Sequence, residues 1–325
     1  MKVHILDDWF DTLRNLPCFD LLDNHSVTVW TDHEPDPLLL AERVKDAEAL
    51  VLFRERTTIG AGLLSRLPHL RLISQRSVYP HVDVAACTEN RVLLCSNMHS
   101  GSPSYAAAEH TLALILASYR QIPEQVASIR AGRWQSGVGR TLRGRTLGLY
   151  GYGRIGQAVA GYAKAIGMKV QWWASDEGRR RARADGERVA DSRDAFFATS
   201  DIVSLHVRLK PETRGLVTAT DLALMKDRAL FVNTSRSGLV TPGALEAEIP
   251  LGRICAAVDV FDTEPLRDTA HPLLTHPNVL PTPHIGFVTE DEFDLQFKDI
   301  FEQVNAFAAG APIHMINPEV WAKST

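Results

Sequence analysis

Three short stretches combine residue types suited to acid–base and anion chemistry. They are Asn233–Gly238 (NTSRSG), Asp259–Pro265 (DVFDTEP) and Pro283–Gly286 (PHIG). Each follows an apolar run that reads as a strand, and each supplies one ionisable group: Arg236, Glu264 and His284. Parallel sheets present their ligands at the carboxyl ends of strands. An arginine there offers a planar fork that holds a carboxylate through two hydrogen bonds. A histidine is the natural proton donor or acceptor near neutral pH. A glutamate beside it favours the charged imidazole and orients the ring. Singly, each has a plainer reading: a loop cation, a solvated turn residue before a proline, and a histidine satisfying a backbone carbonyl. Together, at successive strand ends, they form a coherent set.

The set lies downstream of a glycine turn. Leu147–Tyr150 is a short apolar run, followed by Gly151, Gly153 and Gly156 in G-x-G-x-x-G spacing. Ile155, Val159, Tyr162, Ala163 and Ile166 then recur on one helical face. Gly167 stops that helix, and Met168–Trp173 reads as the next strand. Strand, glycine turn, helix and strand together make this spacing a dinucleotide motif. The first glycine permits the tight turn, the second a close backbone approach to pyrophosphate, and the third close helix–sheet packing. Free N–H groups at the helix start favour the phosphates.

The rest of the chain must position these groups. Upstream, strands are expected at Val3–Leu6, Val27–Trp30, Ala49–Phe53, Leu70–Ser74 and Arg91–Cys95, with helices at Pro37–Val44, Ile59–Leu67 and Val82–Glu89. Such alternation implies a parallel sheet covered on both faces. His99–Pro103 (HSGSP) is a breaker cluster and the expected crossing between domains. A long helix with a small, apolar face is expected over Ser104–Tyr119, then a helix and a loop over 121–145. Further strands are expected at Ile202–Leu205, Leu230–Asn233, Ala256–Val260 and Val279–Leu280, completing six, with short helices at Asp221–Met225 and Pro242–Ala247. A final amphipathic helix, Phe293–Ala308, is expected to return to the first domain.

The totals fit this plan. The 325 residues suggest two domains, and 45% apolar with 23% charged residues is an ordinary globular composition. The net charge of −4 (35 basic minus 39 acidic) predicts neither a nucleic-acid nor an anionic-membrane partner. Cys18, Cys87, Cys95 and Cys255 are scattered, with no zinc spacing, so no metal site is expected and the compartment reads as reducing. The start, MKVHILDDWF, lacks a signal-peptide pattern, and no apolar run approaches the roughly 20 residues of a membrane span. A cytoplasmic protein is expected.

With these residues in view, the chain resembles the D-isomer-specific 2-hydroxyacid dehydrogenase family. The likeness runs through nearly the whole chain and is densest from Ala107 to Gly286. Its specific residues are Ala108-Glu-His110, the glycine turn, Asn233–Gly238, Asp259–Pro265 and Thr282–Gly286. The resemblance implies two doubly wound α/β parallel-sheet domains. A Rossmann nucleotide-binding domain (99–287) would be inserted into a flavodoxin-like substrate domain (1–98 and 288–325). It implies Arg236, Glu264 and His284 as catalytic triad. Arg236 would hold the carboxylate of a 2-oxo acid while hydride passes from the nicotinamide to its carbonyl carbon. His284 would protonate the oxygen, and Glu264 would keep His284 charged. A carboxylate at position 264 separates the chain from the family's formate-oxidising branch, which has an amide there.

The resemblance also implies cofactor contacts at Gly151, Tyr152, Gly153, Arg154, Ile155, Gly156, Ser175, His206, Val207, Thr213, Thr234, Ser235, Asp259 and Gly286. It implies substrate contacts at Arg56, Arg76, Val78 and Tyr79, with Arg54 a further candidate. Its partners would be a small 2-oxo or 2-hydroxy acid and a second copy of the chain. That homodimer would form through the nucleotide domain, with the 104–119 helix at the interface.

Two departures stand out. The family ends its second nucleotide strand with an Asp that binds the ribose 2′-hydroxyl; here the position is Ala174, followed by Ser175 and then Arg179, Arg180 and Arg181. A 2′-phosphate met by Ser175 and one arginine implies NADP(H), or dual use of NAD(H) and NADP(H). The alternative is that GRRRAR (Gly178–Arg183) is only a solvated helix start. The second departure is the substrate loop, normally glycine-rich, which reads Gln75-Arg-Ser-Val-Tyr-Pro-His81. A rival reading from another class is a dinucleotide-sensing binding protein with little turnover, as in the similar corepressors that keep the triad.

Overall fold

Short β-branched and apolar runs form two separate parallel sheets, one in each of two units of the chain. The computed structural model describes residues 1–53, 55–98 and 105–322. One unit is Met1–Pro103 with Val288–Thr325, the other Ser104–Phe287. The 99–103 crossing expected from the sequence and the start of the long helix at Ser104 lie outside the described residues.

In the first unit, β1 (Lys2–Ile5), β2 (Ser26–Val29), β3 (Ala49–Val51), β4 (Leu72–Arg76) and β5 (Leu93–Asn97) run in the order β2-β1-β3-β4-β5. Every pairing is parallel. Ala49, Leu50 and Val51 are all fully buried, the pattern of a strand covered on both faces. Helices α1 (Pro37–Arg43), α2 (Ala61–Leu64) and α3 (Val84–Glu89) connect them. Asp36 caps α1 by accepting the N–H groups of Leu38 and Leu39, with Pro37 at the first helical position.

β4 and β5 begin and end two residues later than their apolar runs suggest. Leu70 and Val92 are buried in the turns before the strands, so burial there reports the core and not the ladder. At the far end Arg76 stays in register opposite Asn97, because its guanidinium is neutralised by Asp299 at 2.8 Å.

The long helix Glu290–Ala308 belongs to this first unit and packs on β4. Phe293, Phe297 and Phe301 recur every four residues on its buried face, and Phe53 packs against the first two with centroids 5.1 and 4.8 Å apart. The helix starts a turn before its apolar pattern. Glu290, Asp291 and Glu292 occupy the first turn, where negative charge suits the helix dipole, and Thr289 caps the Glu292 N–H.

In the second unit, α4 (Ala106–Arg120) and α5 (Ile122–Arg130) precede six parallel strands. These are β6 (Thr146–Tyr150), β7 (Lys169–Trp173), β8 (Ile202–Leu205), β9 (Leu230–Asn233), β10 (Cys255–Val258) and β11 (Val279–Pro281). Their order, β11-β10-β9-β8-β6-β7, reverses direction between β6 and β8. Ligands bind parallel sheets at such switch points, outside the strand carboxyl ends. Helices α6 (Arg154–Ala165) and α7 (Asp176–Ala184) follow β6 and β7. Two apolar clusters form this unit's core; one joins α4 and α6 to the sheet, and the other centres on Phe196, Phe197 and Phe231. Among the described residues no helix is long and apolar enough to cross a membrane.

Candidate active site

The second unit's site is assembled at the carboxyl ends of β9, β10 and β11. Glu264 follows β10. Its Oε1 accepts the Phe261 N–H at 2.9 Å, and its Oε2 lies 2.5 Å from Nδ1 of His284. The two side chains are 33% and 30% exposed, open enough for a ligand to reach and dry enough for the pair to matter. With Nδ1 turned to the carboxylate, Nε2 is the nitrogen left for a reacting group. The Phe287 ring stands edge-on to the imidazole at 5.7 Å.

His284 itself sits in a tight turn, with φ of 55° and its N–H on the Thr282 carbonyl at 3.0 Å. Positive φ is uncommon for a residue with a side chain and persists where surroundings enforce it. Here Asp259 enforces it. Its fully buried carboxylate accepts the N–H groups of Ile285 and Gly286, both at 2.9 Å, and the Thr282 hydroxyl at 2.6 Å. His110, on α4, brings Nε2 to 3.2 Å from the same carboxylate. Burial alone would raise the Asp259 carboxyl. The hydrogen bonds from His110, Thr282 and Ile285 outweigh it and hold the group below the usual carboxylate range.

Arg236 follows β9, next to β10 in the sheet. Asn233 brackets the intervening turn, donating to the Arg236 carbonyl at 2.9 Å and accepting the Ser235 N–H at 3.1 Å. The structure brings Glu264 and His284 into direct contact and sets Arg236 at the end of the neighbouring strand.

The glycine turn occupies the switch point. Gly151 has φ of 112°, and a Cβ there would stand 2.3 Å from the His206 carbonyl at the end of β8. A Cβ on Gly153 would meet nothing within 4 Å, so space lies open over the turn. Gly153 begins α6 with no side-chain cap, and Arg154 and Ile155 are exposed in its first turn. An open glycine cradle with uncapped helical N–H groups fits a dinucleotide pyrophosphate.

Several expected cofactor residues also brace this region. The Ser235 hydroxyl donates to the Leu205 carbonyl at 2.6 Å, and Thr234 shares a 2.7 Å hydrogen bond with Thr111 of α4. Thr213 ties the loop after β8, accepting the Lys210 N–H and donating to the Arg208 carbonyl. Tyr152 is buried, its hydroxyl 2.5 Å from Asp185. Burial pulls the His206 imidazole down to about 4, and its Nε2 meets the Ser204 hydroxyl at 3.0 Å. Val207, the next residue, is half-buried.

At the end of β7, the Ser175 hydroxyl caps α7 by accepting the Gly178 N–H at 3.3 Å. Arg179 lies 4.1 Å from the Trp173 ring centroid and donates to the Ala174 carbonyl at 2.7 Å. Arg181 donates to the Tyr152 carbonyl inside the glycine turn at 3.0 Å. Arg180 pairs with Glu177, and Arg179 also with Asp176. The basic run is therefore a helix start, but two of its arginines are folded onto the glycine turn and the β7 end.

In the first unit, Arg56 donates to the Asp7 carbonyl at 2.5 Å and is stacked on Trp9 and Phe53. Arg76 is 8% exposed and spent on Asp299. Ser77 adopts φ of 75°, so a serine holds the left-handed backbone that glycine would take without strain. Val78 and Tyr79 follow, Val78 exposed. Neither of their N–H groups has a protein partner among the described residues. Arg54 lies outside the described residues.

Residue-by-residue reading gave no role to His110, Thr111 or Thr282. The available signal was Ala108-Glu-His110 and Thr282 within the resembling motifs, but only the fold brings α4 against the His284 turn.

A family model described as "D-isomer specific 2-hydroxyacid dehydrogenase, NAD binding domain" matches residues 112–286. The chain is 36% identical over 310 residues to a glyoxylate reductase of Aeropyrum pernix, covering 91% of each protein. It is 36% identical over 275 residues to a D-3-phosphoglycerate dehydrogenase of Methanocaldococcus jannaschii, covering 83% of this chain. It spans about half (52%) of that relative's length. Among solved structures, a phosphoglycerate oxidoreductase from Vibrio cholerae superposes with a TM-score of 0.91 at 43% identity, covering 96% of this chain and 100% of that one.

Proposed function

Because the chain belongs to the D-isomer-specific 2-hydroxyacid dehydrogenase family, we propose that it interconverts a small 2-oxo acid and its (2R)-2-hydroxy acid. The observation that carries this reading is the 2.5 Å pairing of Glu264 with His284 at a strand end beside a dinucleotide cradle. A nicotinamide dinucleotide, when bound, supplies or takes up the hydride. Gly151, Gly153, Gly156 and the start of α6 hold its phosphates, and Thr234, Ser235 and the 206–207 segment flank it. Arg236 grips the substrate carboxylate and polarises the adjacent carbonyl. His284 donates its Nε2 proton to the carbonyl oxygen in reduction and accepts the hydroxyl proton in oxidation. Glu264 stabilises the charged imidazole through Nδ1.

The reading extends to cofactor choice. No carboxylate ends β7, and Arg179 donates its N–H to the Ser175 carbonyl at 2.8 Å, which favours NADP(H) or dual use. In the first unit, the N–H groups of Val78 and Tyr79, which have no protein partner among the described residues, supply the anion-binding loop that glycines supply elsewhere. The partner is a second copy of the chain: Trp134 and Val138, after α5, are 75% and 85% exposed, an apolar surface suited to burial. Free, scattered cysteines suit a reducing, cytoplasmic setting.

The test is initial rates of NADPH and NADH oxidation with glyoxylate, hydroxypyruvate, phenylpyruvate and a dicarboxylic 2-oxo acid, beside His284→Ala. Turnover that collapses in the variant is the expected result. Tight cofactor binding with no turnover of any acid would replace the enzyme by a dinucleotide sensor.

A further inference from the structure

The turn that carries His284 hangs from one carboxylate, and that carboxylate is held from the other side by α4. Asp259 Oδ1 receives the Thr282 hydroxyl, the Ile285 N–H and His110 Nε2, while Oδ2 receives the Gly286 N–H. Thr282 before His284, and Ile285 and Gly286 after it, are thus tied to the same carboxylate.

The proton inventory assigns the donors. A threonine hydroxyl has one proton, and at 2.6 Å from a buried carboxylate Thr282 gives it to Asp259. His110 Nε2 also lies 3.1 Å from the Thr282 oxygen, which then has only lone pairs to offer. Nε2 therefore carries a proton and shares it between Thr282 and Asp259. An unprotonated Nε2 would face two acceptors. Packing holds this arrangement close: a Cβ on Gly286 would stand 3.1 Å from Asp259 Oδ2 and 3.6 Å from His110 Cδ2. The imidazole is 15% exposed, so little water competes for its proton.

We infer that His110 is a positioning residue for His284, acting through Asp259 and Thr282 from a different helix. Its N–H completes the donor set that keeps Asp259 charged in a dry site, and its ring backs Gly286. The turn then has one arrangement, in which His284 Nδ1 reaches Glu264. As a catalytic role this rests on the proposed dehydrogenase reading; as a statement about the turn it does not.

Two substitutions separate the donor from the ring. His110→Phe keeps a ring and removes the N–H. His110→Gln places an amide N–H near the reach of Nε2. Each is assayed for kcat and KM with the best 2-oxo acid, and for amide hydrogen exchange over 282–286. In His110→Phe, kcat should fall about tenfold or more, with both KM values within about threefold, because misplacement of an acid is felt in the transition state. Exchange at Ile285 and Gly286 should quicken about tenfold while the rest of the unit keeps its protection. His110→Gln should restore both to within about threefold of the parent.

Parental kcat and protection in His110→Phe would overturn the inference, and so would equal losses in Phe and Gln. Should His110→Phe not fold, Thr282→Val removes the hydroxyl under the same imidazole. Slower turnover with faster exchange at 285–286 supports the inference, and parental values overturn it. If the parent reduces no 2-oxo acid, the dehydrogenase reading falls, and exchange at Ile285 and Gly286 alone decides whether His110 holds the turn.

Discussion

Nδ1 of His284 lies 2.5 Å from one oxygen of Glu264, while the other oxygen accepts the Phe261 N–H at 2.9 Å. The carboxylate is anchored independently of the histidine, so its charge can be removed without freeing the loop. Glu264→Gln should keep the Phe261 bond and lose the stabilisation of the charged imidazole. Reduction should slow about ten- to a hundredfold in kcat, with KM within about threefold. A parental kcat in the variant would remove Glu264 from the mechanism.

Arg236 tests the carboxylate grip. Lysine keeps the charge but not the planar fork. Arg236→Lys should lose about a hundredfold in kcat/KM for the acid while cofactor affinity stays within about twofold. Competition by a carboxylate product analogue should weaken in parallel. Full activity in the lysine variant would mean the acid is held elsewhere.

Cofactor choice rests on a stacked arginine. Arg179 lies 4.1 Å from the Trp173 centroid and donates to the Ala174 carbonyl, so its position does not depend on a bound phosphate. Arg179→Ala should raise KM for NADPH about tenfold and leave NADH within about twofold. If the parent itself ignores NADPH, or both cofactors suffer alike, the 2′-phosphate reading of the β7 end is wrong.

Much of this was legible because parallel sheets speak through local patterns. The strands of the second sheet and the glycine turn follow from short apolar runs and G-x-G-x-x-G, whose backbone needs are local. Glu264 and His284 were recognisable as a pair by type and strand-end placement, and they do touch. Side-chain direction was not legible. Arg76 reads as a substrate contact until Asp299, more than two hundred residues later, is seen to neutralise it. Ser175 and the basic run carry two readings, phosphate ligands and a solvated helix start, and the structure shows a cap with two arginines folded back. His110 was invisible as a site residue because its partners, Asp259 and Thr282, come from two distant strand ends.

Gly151 should tolerate no side chain. Its φ of 112° lies where L-residues are strained, and a Cβ would be 2.3 Å from the His206 backbone carbonyl. The neighbour is main chain at a strand end and cannot swing away. Gly151→Ala should cost several kcal/mol of stability, on the order of 3 or more, and abolish cofactor binding in whatever folds. Calorimetric unfolding and cofactor titration check both. A folded alanine variant with parental cofactor affinity would mean that this turn does not hold the dinucleotide.

His206 should make the second unit acid-sensitive in a defined window. Burial pulls its imidazole to about 4, against 6.5 for the free group. Between those values the unfolded chain binds a proton that the native chain refuses. Stability therefore rises with pH across the window; it is complete above the free value and is lost as pH falls towards about 4. Asp259 acts in the same direction but lower, since a depressed carboxyl loses its contribution only as pH falls through the folded value. The two are separable by substitution. His206→Asn removes the proton that unfolding takes up and keeps a polar partner for Ser204. Thermal midpoints at about pH 7 and about pH 5 should therefore differ less in the variant than in the parent. Equal differences in parent and variant would show that the acid sensitivity arises elsewhere, and that His206 stays open to water beside the glycine turn.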